Sequence, residues 1–522
     1  MMFYIFYIIL IHCQSIVNAN KPVTVHTNYG DVEGYETDLA RVFYGIPYAQ
    51  PPVDTLRWKR PVPIPKWAPR VINATQPAPA CPQPPCSLPA ILCPKIMSED
   101  CLYLNVFTPL SNNSSLLPVM LYIAGGNFQY LDASIPVYEP QHFVNQTNVI
   151  CVLIQYRLGV LGFYATGPGP NDINGNYGIL DQRTAIAWVK ANIKAFGGNP
   201  NQITMYGESA GAQSTALHYI TPEMQSFFQA AIIQSAPMSI PFRTYAEYIT
   251  SGVLLGEQLN CSYTNISCFR AASYQQIIAA QKVVNTMLTS LEILLFFEPW
   301  VPVIDNSVVH GQVIDIIQNV SFPLKPLIIG TLTEEAVLYI YEGWHKPVYP
   351  EQYAEILVAT FNRHALKVLE RFPPQGTGDQ RLLLASLGTR WVFACSTRVF
   401  ARKAATYTYV FGYPLDFDGW DNLTFCIGHV CHGSELPYVF ESGWVNFTDA
   451  GRKLATNLVT YWTNFGKTHD PNQPVTPSLS WPKTSIGSEQ YMYFQNPLQV
   501  EENYLKDDCD FFDKIGYKYY YP

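Results

Sequence analysis

The sequence predicts an α/β fold, in which helices flank both faces of a large central β-sheet of mixed but mostly parallel strands. Short apolar segments typical of buried strands alternate with longer segments of helical periodicity after Pro94. The 522 residues contain no internal repeat, and the Pro-rich stretch from Pro61 to Pro94 contains or borders four cysteines, which indicates a stapled loop rather than a linker. We therefore expect one domain over residues 20–522.

The predicted elements follow in order along the middle of the chain. VMLYIAGG (119–126) and VICVLIQYRLG (149–159) are short apolar runs that predict buried strands. Asp181 to Phe196 has apolar residues at helical spacing and stops at a Gly-Gly pair, which predicts a helix. QITMYGESAG (202–211) predicts a strand that enters a glycine-bounded turn, and a helical segment follows it. This order of strand, helix and strand favours parallel pairing.

The first residues have the pattern of a secretory signal peptide. Residues 3–11, FYIFYIILI, form an unbroken apolar run, and small residues around Ala19 follow it. The usual positively charged leader is missing, and a membrane anchor is the alternative, but the run is much shorter than the roughly 20 residues that span a bilayer. We expect a signal peptide over residues 1–19 and no membrane span elsewhere.

Cysteines and sequons agree with a secretory route. Cys13 lies in the signal segment and Cys151 in an apolar run that predicts a buried free thiol. The remaining ten of the 12 cysteines could form five disulfides in an oxidising compartment. Candidate N-glycosylation sites, individually a weak motif, are Asn73, Asn112, Asn113, Asn145, Asn260, Asn265, Asn319, Asn422 and Asn446.

Composition and charge narrow the classes of function. The chain is 48% hydrophobic and 14% charged, as in an ordinary globular protein, and its net charge is -8. This negative charge argues against nucleic acid as a partner. The sequence predicts no particular oligomeric state.

The motif GESAG, Gly207 to Gly211, contains a candidate nucleophile. A Gly-x-Ser-x-Gly turn between a strand and a helix forces Ser209 into a strained conformation and presents its hydroxyl above the N-terminus of the helix. A serine hydroxyl is a poor nucleophile at neutral pH, so it needs a base to take its proton and an acid to orient that base. Both are expected downstream, in the order serine, acid, histidine.

Six further motifs along the chain point to one family. They are ARVFYGIPYAQPPVDTLRW, SEDCLYLNVFTP, YRLGVLGF, YGILDQRTAIAWV, GGNPNQITMYGESAGAQS and VPVIDN. Together they resemble the type-B carboxylesterase and cholinesterase family of α/β-hydrolases, from about Val23 to the C-terminal region. The resemblance implies the α/β-hydrolase fold and hydrolysis of a small-molecule carboxylic ester without a metal or organic cofactor.

The resemblance implies the other two members of a catalytic triad. The family's acid stands in a Gly-Thr-Asn-x-x-Glu-Gly segment, which reads GTLTEEA here and gives Glu335 as the acid, after Glu334. The family's base stands in a segment that GHVCHGSELPYVF matches, which gives His432 as the base and leaves His429 as an outside candidate.

The same segment has an alternative interpretation as a metal site. Its cysteines and histidines are spaced like the ligands of a compact metal cluster. In a secreted chain the two cysteines more often pair with each other, and we therefore expect no metal ion. The residues are Cys426, His429, Cys431 and His432.

An oxyanion hole of backbone N–H groups is implied as well. One donor is Ala210, directly after the nucleophile. The others lie in a loop that reads HGGGF in many relatives and IAGGNF here, which gives Gly126 and Asn127. Asn tolerates unusual backbone angles better than most residues, so we expect the donor at this position to be kept.

The remaining implications concern supporting structure. The implied disulfides are Cys81–Cys101 and Cys261–Cys268, with Cys395–Cys509 plausible and Cys86–Cys93 and Cys426–Cys431 using the remaining cysteines. The implied ion pairs are Arg57–Glu99 and Arg157–Asp181, and Glu208 and Ser235 are implied to support the triad. By the same resemblance Phe296 to Trp300 shapes the acyl pocket, where the sequence FFEPW indicates a bulky lining that favours short acyl chains.

We therefore expect a secreted serine ester hydrolase, of the carboxylesterase type, that works through an acyl-enzyme intermediate. A choline-specific enzyme is disfavoured, because the loop from Cys81 to Cys101 contains no Trp to stack on a quaternary ammonium group. A lipase of the same fold and a non-catalytic adhesion or storage protein are the alternatives. The second is disfavoured because the chain has a candidate for each triad position.

Overall fold

The computed structural model describes residues 21–86, 88–111, 115–291, 297–404, 406–485 and 487–517. The predicted signal peptide with Cys13, the sequons at Asn112 and Asn113, and Phe296 of the predicted acyl-pocket segment lie outside these ranges. Within them the fold is α/β, as the sequence predicts.

A mixed sheet of 13 strands forms the centre of the described chain. The strands are β1 (Lys21–His26), β2 (Asp31–Glu36), β3 (Ala40–Pro47), β4 (Val71–Asn73), β5 (Tyr103–Pro109), β6 (Leu117–Ile123), β7 (Ile150–Ile154), β8 (Gly198–Glu208), β9 (Ala230–Gln234), β10 (Leu327–Leu332), β11 (Thr406–Phe411), β12 (Gln490–Phe494) and β13 (Gln499–Glu502). Their order is β1-β2-β3-β5-β7-β6-β8-β9-β10-β11-β12-β13, and β4 pairs with β2. Neighbours from β7 to β12 in this order are parallel, the other neighbours in it are antiparallel, and β4 is parallel to β2.

Helices fill the connections between these strands. The α-helices of the described ranges are α1 (Gln141–Thr147), α2 (Gly159–Phe163), α3 (Tyr177–Asn192), α4 (Ala210–Tyr219), α5 (Tyr245–Leu259), α6 (Ile266–Ala271), α7 (Tyr274–Leu291), α8 (Val313–Ile316), α9 (Ala336–Gly343), α10 (Pro350–Phe361), α11 (Ala365–Arg371), α12 (Arg381–Gly388), α13 (Cys395–Ala401), α14 (Leu436–Val439), α15 (Asp449–Thr468) and α16 (Lys506–Ile515). A π-helical segment, Thr389–Ala394, joins α12 to α13. Short 3₁₀ helices are Asp54–Leu56, Ala90–Leu92, Pro136–Tyr138, Ile193–Phe196, Pro222–Met224, Ile317–Asn319, Asn362–His364 and Thr424–Cys426. None of the helices in these ranges has both the length and the apolar character needed to cross a membrane.

The helix that the sequence predicts over Asp181 to Phe196 has different ends in the structure. It starts four residues earlier, at Tyr177, and its last turn, Ile193–Phe196, is a 3₁₀ helix. Gly197 follows with φ 84°, in the left-handed region that glycine adopts without a steric penalty. The glycine therefore ends the helix as the sequence predicts, although the helix tightens before it.

Both faces of the sheet are covered by apolar clusters. In β6, Leu121 packs into one cluster and Tyr122 into the other, because successive side chains of a strand point to opposite faces. Helices α3 and α4 pack on the first face, with residues such as Val189, and α15 packs on the second, with Trp462. A third apolar cluster contains residues of α9, α10, α11, α12, α13 and α16. The sheet is thus a rigid base whose strand ends are held from both sides.

Five disulfides link described residues, and their pairs are the ones that the family resemblance implies. They are Cys81–Cys101, Cys86–Cys93, Cys261–Cys268, Cys395–Cys509 and Cys426–Cys431. Cys151 is a buried free thiol, and burial raises its pKa to about 12, so it is inert as a nucleophile at neutral pH. Both implied ion pairs are present, Arg57–Glu99 at 2.5 Å and Arg157–Asp181 at 2.7 Å.

The parallel strands bring the candidate residues to one edge of the sheet. β6 ends before Gly126, β8 before Ser209 and β10 before Glu335, and His432 follows β11. Carboxyl ends of neighbouring parallel strands meet at the same edge, which is where open α/β sheets place their ligand sites. The described chain therefore has its candidate site at this edge.

Candidate active site

Ser209 is the single residue between β8 and α4, and its backbone conformation is strained. Its φ is 58° and its ψ is -126°, a combination that costs a non-glycine residue about 1–3 kcal/mol. Close packing holds the turn, because a Cβ on Gly211 would lie 2.0 Å from the carbonyl oxygen of Ile123. The Ser209 N–H donates to the carbonyl oxygen of Gln234 at 3.0 Å, which ties the turn to β9. The side chain is thereby fixed at the end of the central strand, buried beneath its surroundings.

Glu335 and His432 meet as a buried pair beside this turn. His432 Nδ1 lies 2.6 Å from Glu335 Oε2. The other carboxylate oxygen accepts hydrogen bonds from the Thr331 hydroxyl and the Leu332 N–H, each at 2.8 Å. Glu335 is completely buried and His432 is 8% exposed. Three donors thus hold the carboxylate in one position, so it can fix the orientation of the imidazole ring.

The second ring nitrogen of His432 faces Glu208 rather than Ser209. Nε2 lies 2.9 Å from Glu208 Oε1, close enough for an ion pair. The angles are not those of a hydrogen bond, since neither atom has a hydrogen-bond partner among the described residues, and the same holds for Ser209 Oγ. Glu208 is therefore placed to support the imidazole ring, as the family resemblance implies. The ring forms no hydrogen bond to the Ser209 hydroxyl in this structure.

Charge and burial act in opposite directions on His432. Burial lowers the pKa of the imidazole, but the carboxylates of Glu208 and Glu335 outweigh burial and hold that pKa well above its ordinary value. The two carboxylates thus favour the protonated form of the ring. The ring can act as a base only in its neutral form, so this preference affects the pH dependence of any reaction here.

Glu435 is a further buried carboxyl that sequence reasoning missed. Gln234 Nε2 donates to Glu435 Oε1 at 3.3 Å. Burial first, and then the charges of Glu208 and Glu335, raise the pKa of Glu435 well above its ordinary value. Burial and these neighbouring groups thus favour the uncharged form of Glu435.

A second Glu–His pair lies next to the first. Glu334 Oε1 is 2.7 Å from His429 Nδ1, and Glu334 Oε2 accepts the Val430 N–H at 2.9 Å. Their side chains are 36% exposed for the histidine and 35% for the glutamate. His429, the outside candidate for the base, is thus paired with Glu334 and is half-exposed to solvent.

The loop that carries both histidines is closed by a disulfide. Cys426 and Cys431 pair with each other, as expected for an oxidising compartment. Their sulfurs are therefore not thiolate ligands. Of the four residues in the alternative metal cluster, the two histidines are the only potential ligands that remain. Each histidine has a glutamate at its Nδ1.

The loop after β6 packs against the end of β8, since a Cβ on Gly125 would lie 3.0 Å from the Cβ of Ser209. Gly126, Asn127 and Phe128 all have positive φ, of 91°, 55° and 58°. Asn127 adopts the left-handed conformation that asparagine tolerates well, so replacing glycine by asparagine does not prevent this turn. In the described ranges, the N–H groups of Gly126, Asn127 and Ala210 donate to no protein acceptor. These are the three donors that the family resemblance implies, and their hydrogens are free to bind an anionic oxygen.

Tyr339 is a site residue that sequence reasoning missed. It lies one helical turn after Glu335 on α9, so both side chains point the same way. Its ring centroid is 5.1 Å from that of His432, and its hydroxyl lies 3.4 Å from Asn127 Oδ1. Burial first, and then the charge of Glu208, raise the pKa of this hydroxyl well above its ordinary value, so it stays a neutral donor. The helical spacing in EEAVLY is the signal that could have identified it.

A cavity of about 60 Å³ lies beside these residues. Asn127 and Tyr339 form one wall, next to Phe297 and Glu298, which belong to the predicted acyl-pocket segment. The rest of its lining is mainly apolar and comes from α9, α10, α12, the π-helical segment and the loop residues Pro237, Ile240 and Trp344. The cavity is thus a largely apolar space next to the loop after β6.

A family model and three known proteins match most of this chain. The model of the family described as the carboxylesterase family matches residues 21–512. The cAMP-regulated D2 protein of Dictyostelium discoideum is 33% identical over 96% of this chain and 94% of its own length. The crystal protein of the same organism is 35% identical over 94% of this chain and 90% of its own. An acetylcholinesterase of Bungarus fasciatus is 30% identical over 94% of this chain and 86% of its own.

Proposed function

Because the chain belongs to the carboxylesterase family, we propose that it is a secreted carboxylic ester hydrolase in which Ser209, His432 and Glu335 form the catalytic triad. The buried Glu335–His432 pair beside the strained Ser209 turn is the observation that supports this most strongly. Two further donors hold the Glu335 carboxylate in place, so it fixes the orientation of the His432 imidazole. No metal or organic cofactor is needed for this chemistry.

The first half-reaction acylates the serine. His432 Nε2 takes the proton of Ser209 while Oγ forms a bond to the ester carbonyl carbon, and the carbonyl π electrons move onto its oxygen. The tetrahedral intermediate then collapses, the bond to the leaving oxygen breaks, and His432 gives its proton to the departing alcohol. Glu335 stabilises the imidazolium that exists between these two transfers.

The second half-reaction releases the acid. Water gives a proton to His432 and adds to the acyl carbon, and collapse of this second intermediate returns the proton to Ser209 Oγ. The negative oxygen of each intermediate is bound by the N–H groups of Gly126, Asn127 and Ala210. Loss of one such donor typically costs about 10²–10³ in kcat.

Release of His432 from Glu208 is the step that activates the free site. Nε2 faces Glu208 at 2.9 Å in the structure, and it must turn toward Ser209 Oγ to accept a proton. Hydrogen bonds of catalytic groups are often long or misaligned before substrate binds and tighten afterwards. A neutral imidazole no longer attracts Glu208 as an ion, so deprotonation and realignment favour each other.

The described surface and crosslinks support passage through the secretory pathway. The seven sequon asparagines in the described ranges are all exposed, which is the condition for N-glycosylation; they are Asn73, Asn145, Asn260, Asn265, Asn319, Asn422 and Asn446. Five disulfides form only in an oxidising compartment for a protein of this kind. A cleaved signal peptide over residues 1–19 completes this proposal.

The substrate is a small-molecule ester without a quaternary ammonium group. One relative is an acetylcholinesterase, but the loop closed by Cys81–Cys101 contains no Trp for a quaternary ammonium group. The names of the two Dictyostelium relatives state no enzymatic activity. A non-catalytic protein on the same scaffold is therefore the outcome that the experiment must exclude.

Covalent labelling with a fluorophosphonate probe tests the proposal. Wild-type protein is expected to take up the probe and to hydrolyse short-chain aryl esters, and Ser209→Ala is expected to do neither. Ser251→Ala is a matched control, because Ser251 is another buried serine and lies on α5, away from the proposed triad. Labelling should persist in that control. An unlabelled wild-type protein would support the non-catalytic alternative.

A further inference from the structure

The three consecutive residues with positive φ in the loop after β6 are not held in the same way. The carbonyl oxygen of Gly126 accepts two N–H groups of the residues that follow, each at 2.8 Å. The carbonyl oxygen of Phe128 accepts the N–H of Gly159 at 2.7 Å. The backbone of Asn127, between them, forms no hydrogen bond to any described residue. Asn127 therefore depends on its side chain for a fixed conformation.

The Asn127 side chain has one hydrogen-bond partner among the described residues, and that partner is Tyr339. The Tyr339 hydroxyl donates to Asn127 Oδ1 at 3.4 Å. Burial, and then the charge of Glu208, raise the pKa of this hydroxyl, which keeps its proton available for donation. The φ of 55° at Asn127 is sterically unfavourable for most residues, and asparagine adopts it when its side chain is hydrogen-bonded nearby. The contact with Tyr339 thus stabilises the backbone conformation of Asn127.

Aromatic packing fixes the ring of Tyr339. It stacks on Phe393 with the ring centroids 6.0 Å apart and meets Phe297 edge-on at 5.5 Å. Its third ring neighbour is His432, the proposed base, at 5.1 Å. Tyr339 is 7% exposed and follows Glu335 by one turn of α9. One side chain thus contacts both the proposed base and the residue that is a proposed oxyanion donor.

We propose that Tyr339 is a positioning residue for the oxyanion hole, because its hydroxyl holds Asn127 so that the N–H of Asn127 can bind the oxyanion. The inference rests on the proposed ester hydrolysis at Ser209. The family motif has glycine at the position of Asn127, and glycine adopts positive φ without help from a side chain. The contact of 3.4 Å is long in the free site, and such bonds tighten as the transition state forms, so the pair affects kcat more than KM.

A double-mutant cycle between Tyr339 and Asn127 tests this pair. Tyr339→Phe keeps the aromatic packing and removes only the hydroxyl. It should lower kcat for short-chain aryl esters by about tenfold or more, with KM changed by less than about twofold. Asn127→Gly removes the side chain that the hydroxyl holds, so adding Tyr339→Phe to it should change kcat by less than about twofold relative to Asn127→Gly alone. A loss of the same size in both backgrounds, or no loss in the wild-type background, would overturn the proposal.

Inhibition by an alkyl trifluoromethyl ketone measures oxyanion binding without a leaving group. Ser209 Oγ forms a bond to the ketone carbonyl carbon, the serine proton moves to His432, and the carbonyl oxygen becomes the oxyanion. Tyr339→Phe should raise the inhibition constant by about the factor by which it lowers kcat. The rising limb of the pH profile of kcat/KM should stay at the same pH, because the variant removes an uncharged group. An unchanged inhibition constant, or a shifted limb, would show that the hydroxyl does not act through the oxyanion hole.

Tyr353→Phe is the matched control, because it removes another hydroxyl of a buried tyrosine, which donates to the carbonyl oxygen of Phe372 at 2.8 Å. Its kcat and inhibition constant should stay within about twofold of the wild-type values.

Fluorophosphonate labelling of the wild-type protein separates the two possible failures. If Ser209 is labelled but Tyr339→Phe has the same effect in both backgrounds, the positioning role is wrong and the proposed function stands. If neither probe nor ester reacts with the wild-type protein, the proposed function fails and the positioning role with it.

Discussion

Two pairs of glutamate and histidine lie side by side at the carboxyl edge of the sheet. Glu334 and Glu335 are consecutive, and the histidines His429 and His432 are three positions apart. The distances between carboxylate oxygen and Nδ1 are 2.7 Å in the outer pair and 2.6 Å in the inner pair. Chemistry and geometry are almost the same, and only the surroundings differ.

The outer pair is half-exposed, whereas the inner pair has side chains that are 7% and 0% exposed. An exposed ion pair is screened by water and typically contributes about 0–1 kcal/mol. A buried pair keeps its full electrostatic interaction only if further hydrogen bonds compensate for lost solvation, and Thr331 and Leu332 supply them. Burial beside Ser209, rather than the Glu–His contact itself, is what distinguishes the candidate catalytic pair.

Removing each histidine should give the largest contrast between the pairs. His432→Ala is expected to lower kcat for aryl ester hydrolysis by about 10⁴-fold or more, because the proposed triad then lacks the base that takes the proton of Ser209. His429→Ala is expected to change kcat by less than about threefold, since its ring contacts a half-exposed carboxylate. Steady-state kinetics of the two purified variants measure this. Comparable losses in both would contradict the distinction.

Removing each carboxylate charge should give the next contrast. Glu335→Gln keeps the size of the side chain but removes the charge that stabilises the imidazolium, so a decrease in kcat of about 10³–10⁴-fold is expected. Glu334→Gln is the matched control, one residue earlier in the chain, and should retain activity within a few-fold. Thermal unfolding of both variants shows whether the change is confined to catalysis. Equal activity of the two variants would argue against Glu335 as the orienting acid.

A smaller effect is expected in the pH profile when Glu208 is changed. His432 must be neutral to act as a base, so kcat/KM should be low below the pKa of His432 and rise as pH rises through it. Glu208 and Glu335 raise this pKa against the effect of burial. Glu208→Gln removes one of these charges, so the rising limb should move to lower pH, by about one unit or more.

Glu334→Gln serves as the control here too, because its carboxylate faces His429 and not His432. The rising limb of the pH profile of kcat/KM should stay at the same pH in that variant. A limb that does not move in Glu208→Gln, or that moves upward, would show that the contact between Nε2 and Glu208 does not set the ionisation of His432.

Local patterns in the sequence were sufficient for the fold class and for the Ser209 turn. The strand before Gly207 and the glycines around Ser209 act over a few residues, and the steric requirement at Gly211 is visible in the spacing of the motif. The start of α3 at Tyr177 was missed, because the apolar periodicity is clear only from Asp181 onward.

Contacts between distant segments were beyond the sequence. Glu208 was expected to support the triad, but its position at His432 Nε2 depends on how the loop after β11 folds over β8. The two Glu–His pairings likewise require the loops after β10 and β11 to meet in one register. The burial of Glu298 has no local signature either, since FFEPW gives no indication that its carboxyl is buried. Such features depend on tertiary packing rather than on local propensity.

The most direct test of the account is the rate at which a fluorophosphonate modifies Ser209, followed by mass spectrometry in the two histidine variants. The reaction reports the nucleophilicity of the serine without any later step. Wild type and His429→Ala should be modified at Ser209 at similar rates, and His432→Ala should be modified at least about 10³-fold more slowly. Equal modification of Ser209 in His432→Ala, or loss of it in His429→Ala, would contradict the assignment of the buried pair as the catalytic one.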